Sequence, residues 1–223
     1  MGRTGRTRDG RIGRRVNGSR TPALRMRPHA FEPRSGQTFD FGYGPVAAAR
    51  HRNPDGSTGG WVALTAHADP ETFVAEAATV FDNARVFGES HVLGRARVFG
   101  YARVADGSVI AGDAAVSGSV SVSAGTISEC AEVNGHARIE RATVRGGALV
   151  TDTASVNRGA LVQDRAVVRG QGFVTDGAVV AGSAVVEGPV RGDIIVLDAH
   201  VAEDEADDAP AHETGDPAVA HLA

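Results

Sequence analysis

The sequence contains no lysine: all 23 basic residues among its 223 are arginine. A Schiff-base amine and a Walker-type phosphate lysine are therefore excluded. Aromatic residues make up only 5% and methionine occurs twice, so the core has to be built from valine and alanine, which argues against an ordinary layered globule. The single cysteine, Cys130, cannot close an internal disulfide, and cysteine usage gives no support to an oxidising compartment. No run approaches eighteen apolar residues, the length a transmembrane helix requires. CxxC, HExxH, GxSxG, Walker and dinucleotide fingerprints are all missing, as are the GGxGxD repeats of calcium-binding β-helices. No metal site is expected, since His200, His212 and His221 are too scattered for ligand spacing.

Charge divides the chain. Residues 1–52 hold twelve arginines against Asp9, Glu32 and Asp40, and the apolar-poor first 21 residues predict a disordered basic tail. Such an arm can neutralise phosphates without a fold, although a solvated tail serves the same composition. Beyond that weak arm no nucleic-acid contact is expected. Arg14-Arg15 is not followed by an apolar stretch, so a twin-arginine export signal is not indicated and a cytoplasmic location is expected. Residues 198–223 carry eight acidic groups and no basic one, which predicts a disordered acidic tail.

Between the tails lies a six-residue repeat. From Val74 to Val186 an aliphatic residue recurs twenty times, always Val or Ile, with two intervals one residue short, Val122 to Ile127 and Ile139 to Val144. Four residues after most of them comes a small side chain, alanine in thirteen cases, and two residues after each comes Gly or Asp in fifteen. In an extended strand the aliphatic residue and the small one two places before it share a face. Gly and Asp tolerate the corner geometry that follows. Three hexads close a triangular turn of parallel strands about 4.8 Å apart, so twenty hexads predict six to seven coils and a prism on the order of 30 Å long. The fold class read from the chain is all-β, a single-stranded parallel β-helix over 74–197. An N-terminal β cap and lead-in occupies 22–73, where Phe39, Phe41 and Tyr43 alternate with polar residues and glycine.

The repeat resembles the hexapeptide-repeat left-handed β-helix superfamily, best known for acyl- and acetyltransferases that work as trimers. It is most similar to enterobacterial and phage transferase-like proteins whose hexads read NARVxG. That signature stands here as Asn83-Ala84-Arg85-Val86-Phe87-Gly88, with weaker copies at Arg95–Gly100 and Tyr101–Val104, after a Gly59-Gly60-Trp61-Val62 lead-in. The resemblance covers residues 59–190. It implies left-handed coiling, a homotrimer, and an acyl-coenzyme A donor lying between subunits with a histidine as general base.

Residues one turn apart stack, so outward columns can be written from the sequence. One reads Arg85, Arg103, Ser121, Arg138; beside His91 and Arg97, this ladder of guanidinium groups could hold the phosphates of coenzyme A or a nucleotide sugar. A solvated face offset by Glu89, Asp106 and Asp113 explains the same residues. A corner column reads Asn83, Tyr101, Ser119, His136, Thr153, Gln171. His136 and His91 are the histidines within the repeat, and so the residues able to inherit the base role that the resemblance implies. Phe81, Phe87, Leu93 and Phe99 also point outward. So do Leu149, Val167 and Val185, then Leu161 and Val179, with Phe173 alone on the remaining face. Exposed apolar columns mark interfaces, the first set suiting the cap and the second a subunit contact.

Two functions fit. The first is an acyl-coenzyme A-dependent O- or N-acyltransferase with small-molecule donor and acceptor, no tightly bound cofactor, His136 or His91 as base, and Arg85, Arg97, Arg103 and Arg138 on the donor. The second is a non-catalytic rigid scaffold that oligomerises and presents its faces or tails to a partner. No membrane association is expected.

Overall fold

A β-branched residue every sixth position and a small residue two places before it can both be buried only if the chain turns after each hexad. The computed structural model describes residues 37–202 and the backbone of 219–220, all belonging to the compact unit spanning 32–223. It winds the hexads into a three-faced parallel β-helix of about 8 turns, with no α-helix among the described residues. The first face begins with β3 (Thr58–Ala63), β6 (Thr79–Val80) and β9 (Arg97–Val98) and ends at β27 (His200–Val201). The second runs from β4 (His67–Ala68) through β7 (Arg85–Val86) and β10 (Arg103–Ala105) to β25 (Pro189–Arg191). The third runs from β5 (Phe73–Val74) through β8 (His91–Val92) to β26 (Ile195–Leu197), with β28 (Val219–Ala220) paired beyond it. The predicted basic tail over 1–21, the first part of the 22–73 segment and most of the acidic tail lie outside the described residues; β27 and β28 fall within 198–223.

All twenty repeat aliphatics, Val74 to Val186, are at most 1% exposed. Ala96, Ala102 and Ala114 fill the small positions beside them, fully buried. Where serine takes the small position it is satisfied locally: the Ser90 hydroxyl donates to the Phe87 carbonyl at 2.8 Å and Ser108 to that of Ala105 at 2.5 Å. The Gly and Asp positions lie at corners with φ near +57° to +72°, as at Asp82, Gly100 and Asp106. Their alternation has a hydrogen-bonding reason. The Asp82 carboxylate accepts from the Gly100 amide one coil on, Asp152 from Gly170 and Asp164 from Gly182, at 2.9–3.1 Å.

The two short intervals sit in the same corner of consecutive coils, between the second and third faces. Ala124 and Arg141 adopt φ of 50° and 48° there, and the Arg141 amide donates to the Ser123 carbonyl. Register above and below is undisturbed, with Ile110 opposite Ile127 and Ile127 opposite Val144. The stack is longer than the six to seven coils read from the repeat because it continues where the spacing fails. Ala68 takes the inward position opposite Val86 before the repeat begins, and Val190, Val196 and Val201 continue it after Val186 at intervals of four, six and five.

At the N-terminal end β1 (Thr38–Asp40), β2 (Pro45–Arg52) and β3 form an antiparallel meander that extends the first face. Its aromatic side packs as the alternation predicted: Phe39 stacks on Trp61, Phe41 on Phe81, and Phe81 on Phe99, with centroids 4.8–5.0 Å apart. Phe81 is thereby covered, whereas Tyr43 is left exposed. Amides of Gly42 and Gly44 donate to Asp40 and hold its carboxyl below the ordinary range.

The cap is fastened over the first coil by buried polar groups. Asn53 accepts from the Val74 amide at 2.9 Å, and His51 Nε2–H donates to the Thr72 carbonyl at 2.8 Å. A carbonyl can only accept, so the ring is a neutral Nε2–H tautomer or imidazolium. Burial pushes the His51 pKa below its ordinary value, against the opposing pull of the Thr72 carbonyl. The unfolded chain therefore binds the proton more tightly, and stability is lost as pH falls through about 6.5 towards the lower folded-state value. Thermal midpoints measured between about pH 7.5 and 5 should decline in the native chain and flatten in His51→Gln, whose amide can still donate to Thr72. An unchanged slope in that variant assigns the decline to another group.

Candidate functional site

A six-residue step advances one face, so residues at that spacing diverge while residues a full turn apart converge. Arg85, Arg103, Ser121 and Arg138 do stand opposite one another in successive strands of the second face. Arg97 lies on the first face, opposite Thr79 and Ala115, and His91 on the third, opposite Phe73 and Val109. The expectation that the arginine ladder stands next to His91 and Arg97 is thus corrected: positions 85, 91 and 97 occupy three different sides of one coil.

Within the ladder the guanidinium groups are not equivalent. Arg138 lies 3.4 Å from Glu140, which also pairs with Arg141 at 3.2 Å. Arg85 and Arg103 are exposed and have no carboxylate partner among the described residues. Two of the three acidic groups expected to offset them are engaged elsewhere, and Glu89 is exposed. Asp113 holds Arg95 through two hydrogen bonds of 2.6 and 2.8 Å, which lower its carboxyl pKa, and Asp106 accepts from Ser123. Two adjacent coils therefore present free guanidinium groups on backbones about 4.8 Å apart.

The structure adds two neighbours to this pair. Phe87 lies under the Arg103 guanidinium, 5.6 Å from its carbon to the ring centroid, and its ring is 6.0 Å from that of His67. His67 occupies the same column one coil before Arg85 and pairs with Asp69 at 2.8 Å. Partial burial pushes the Asp69 carboxyl up, but the Gly88 amide and His67 outweigh it and hold the carboxyl low. The eighteen-residue interval from His67 to Arg85 is visible in the sequence. The hexad carries Ala68 where the repeat has valine, so it does not share the repeat's mark.

His136 occupies the corner between β15 (Glu132–Val133) and β16 (Arg138–Glu140), where its amide donates to the Asp152 carbonyl. It is exposed, two residues ahead of Arg138, and so lies along the edge of the face that carries the arginine column. His91 instead lays its ring against Phe73 at 6.0 Å, and the Arg97 guanidinium stands 5.9 Å over Phe99. Cys130 is exposed at another corner. Connections between successive strands from Phe73 to Leu197 never exceed four residues, so no loop is inserted between coils. No group of His, Cys, Asp or Glu among the described residues is arranged to hold a metal ion, and no helix among them is long and apolar enough to cross a membrane. No protein-family model matches the chain, and no curated protein or solved structure matches it.

Proposed function

We propose that this β-helix is transferase-like and takes an acyl-coenzyme A as donor along its second face. The observation that carries the reading is the pair Arg85 and Arg103: exposed, one coil apart and without a carboxylate partner among the described residues. Guanidinium groups so placed offer paired donors to phosphate oxygens, and Phe87 under Arg103 supplies an apolar surface beside the charges. His67 stands in the column itself but is held by Asp69, and the base in this reading is His136, further along the edge of that face. Its imidazole takes the proton from an acceptor hydroxyl or amine as the oxygen or nitrogen attacks the thioester carbonyl. The C–S bond then breaks, and the proton leaves with the thiolate as free coenzyme A. In the resemblance to trimeric hexapeptide-repeat acyltransferases, a neighbouring copy supplies the opposite wall of the groove. Arg138 serves this role less directly because Glu140 holds it, and His91 and Arg97 lie on other faces.

A second reading, a non-catalytic scaffold, is favoured by the short connections, since no inserted loop walls off water from His136. Calorimetric titration with acetyl-coenzyme A separates the two. Saturable micromolar binding that the Arg85→Ala/Arg103→Ala variant loses and His136→Ala keeps is the expected result. No heat at millimolar ligand overturns the donor site and leaves the scaffold.

A further inference from the structure

The cap meets the first coil through polar groups where the coils meet one another through aliphatic ones. At the end of β2 the alternating row reads Ala49, His51 and Asn53, and all three are buried. Opposite His51 the ladder to β3 slips by one residue, from Arg50 facing Trp61 to Arg52 facing Thr58, with Gly59 and Gly60 between. Such a bulge re-aims side chains. The two glycines also let the backbones close up, since a Cβ on Gly60 would collide with the Ala78 carbonyl and one on Gly59 with that of Val74. From this position His51 donates to the Thr72 carbonyl just ahead of β5.

The charged groups around this contact are turned to other partners or to solvent. Arg50 donates to the Gly59 and Glu76 carbonyls at 3.1 and 3.0 Å and lies over Trp61. Asp55 accepts from Ser57, and Asp69 pairs with His67. Arg52, Glu71 and Glu76 are exposed. No carboxylate among the described residues pairs with His51, so a proton added to the ring stays unneutralised while the cap is closed and is hydrated once β1 and β2 lift. β3 is held from its other side by β6, with Trp61 opposite Thr79 and Val62 opposite Val80. Lifting β1 and β2 therefore frees one edge of β3 and uncovers Phe81, on which Phe41 stacks. Coils further along contact only their neighbours, so the opening has no reason to spread.

We propose that His51 makes the cap an acid-sensitive latch: protonation of its ring favours a form in which residues 37–57 lift from the first coil while the stack from β3 onward stays folded. This adds a local opening to the overall loss of stability described above and does not rest on the acyl-transfer reading. Hydrogen exchange of the full chain, read by mass spectrometry at pH 7.5, 6.5 and 5.5 and corrected for intrinsic rates, tests it. A ring that titrates near pH 6.5 when open and lower when closed raises the open population by up to about tenfold over that range. Peptides from residues 38–52 should lose protection by about threefold to tenfold, and peptides from residues 120–180 should keep theirs. His51→Gln, whose amide still donates to Thr72, should abolish the dependence, and His67→Gln should keep it. Cap and coil peptides that lose protection together overturn the latch, as does a cap whose protection ignores pH. So does a dependence that survives His51→Gln or disappears in His67→Gln. If the His51 variant does not fold, the comparison of cap with coil in the native chain decides by itself.

Discussion

Ile127→Ala should lower the unfolding free energy by about 2–5 kcal/mol, the range for removing a large aliphatic side chain from a site that cannot collapse around the gap. Ile127 is fully buried, stacked between Ile110 and Val144, and it follows the first of the two contracted corners. Its surroundings are fixed by backbone ladders above and below, which leaves little freedom to fill the cavity. The effect should reach beyond stability, because each coil of such a stack contacts only its neighbours. A cavity near the middle weakens the coupling between the N-terminal and C-terminal coils, so urea unfolding followed by circular dichroism should broaden or divide into two steps. Thr126→Ala, the adjacent outward position, should change stability by less than about 0.5 kcal/mol. A loss under about 1 kcal/mol for Ile127→Ala would mean that the column is loosely packed.

The corners yield the second large effect, in a comparison that separates backbone conformation from space. Gly107 and Gly118 have nearly the same conformation, φ +70° and +72°. A Cβ on Gly107 meets nothing within 4 Å, whereas on Gly118 it comes within 2.5 Å of the Gly135 carbonyl oxygen and 2.9 Å of its nitrogen. Gly107→Ala should therefore cost only the left-handed conformation, about 1–2 kcal/mol. Gly118→Ala carries the same cost and in addition drives backbone into backbone across adjacent coils, a further 1–3 kcal/mol. Chemical denaturation of the two variants in parallel measures the difference. Equal losses would show that the corner stack yields freely and that glycine is needed there for conformation alone.

Much of this architecture is legible in one dimension. Val104, Val122 and Ile139 occur at intervals that leave the chain no other way to bury them, and Asp82 and Gly100 mark corners by their tolerance of positive φ. The arginine column on the second face follows from the same count. The stack was less legible at its ends, where Ala68 replaces a valine and Val190 comes four residues after Val186, because hydrogen bonding to the coil already formed holds those strands without the repeat.

The candidate site divides along the same line. Period six tells which residues are buried, because burial depends only on the alternation of neighbouring side chains within a strand. Which charges remain free depends on side chains that meet across coils. Arg103 keeps its charge available because Asp106 turns to Ser123, and Arg138 gives up much of its own to Glu140. His67 and Phe87 join the arginine pair only after stacking brings a hexad without its valine beneath Arg85. Local spacing settles a repeat core because each hexad poses the same packing problem. The surface has no such period, and only the closed coil brings its partners together.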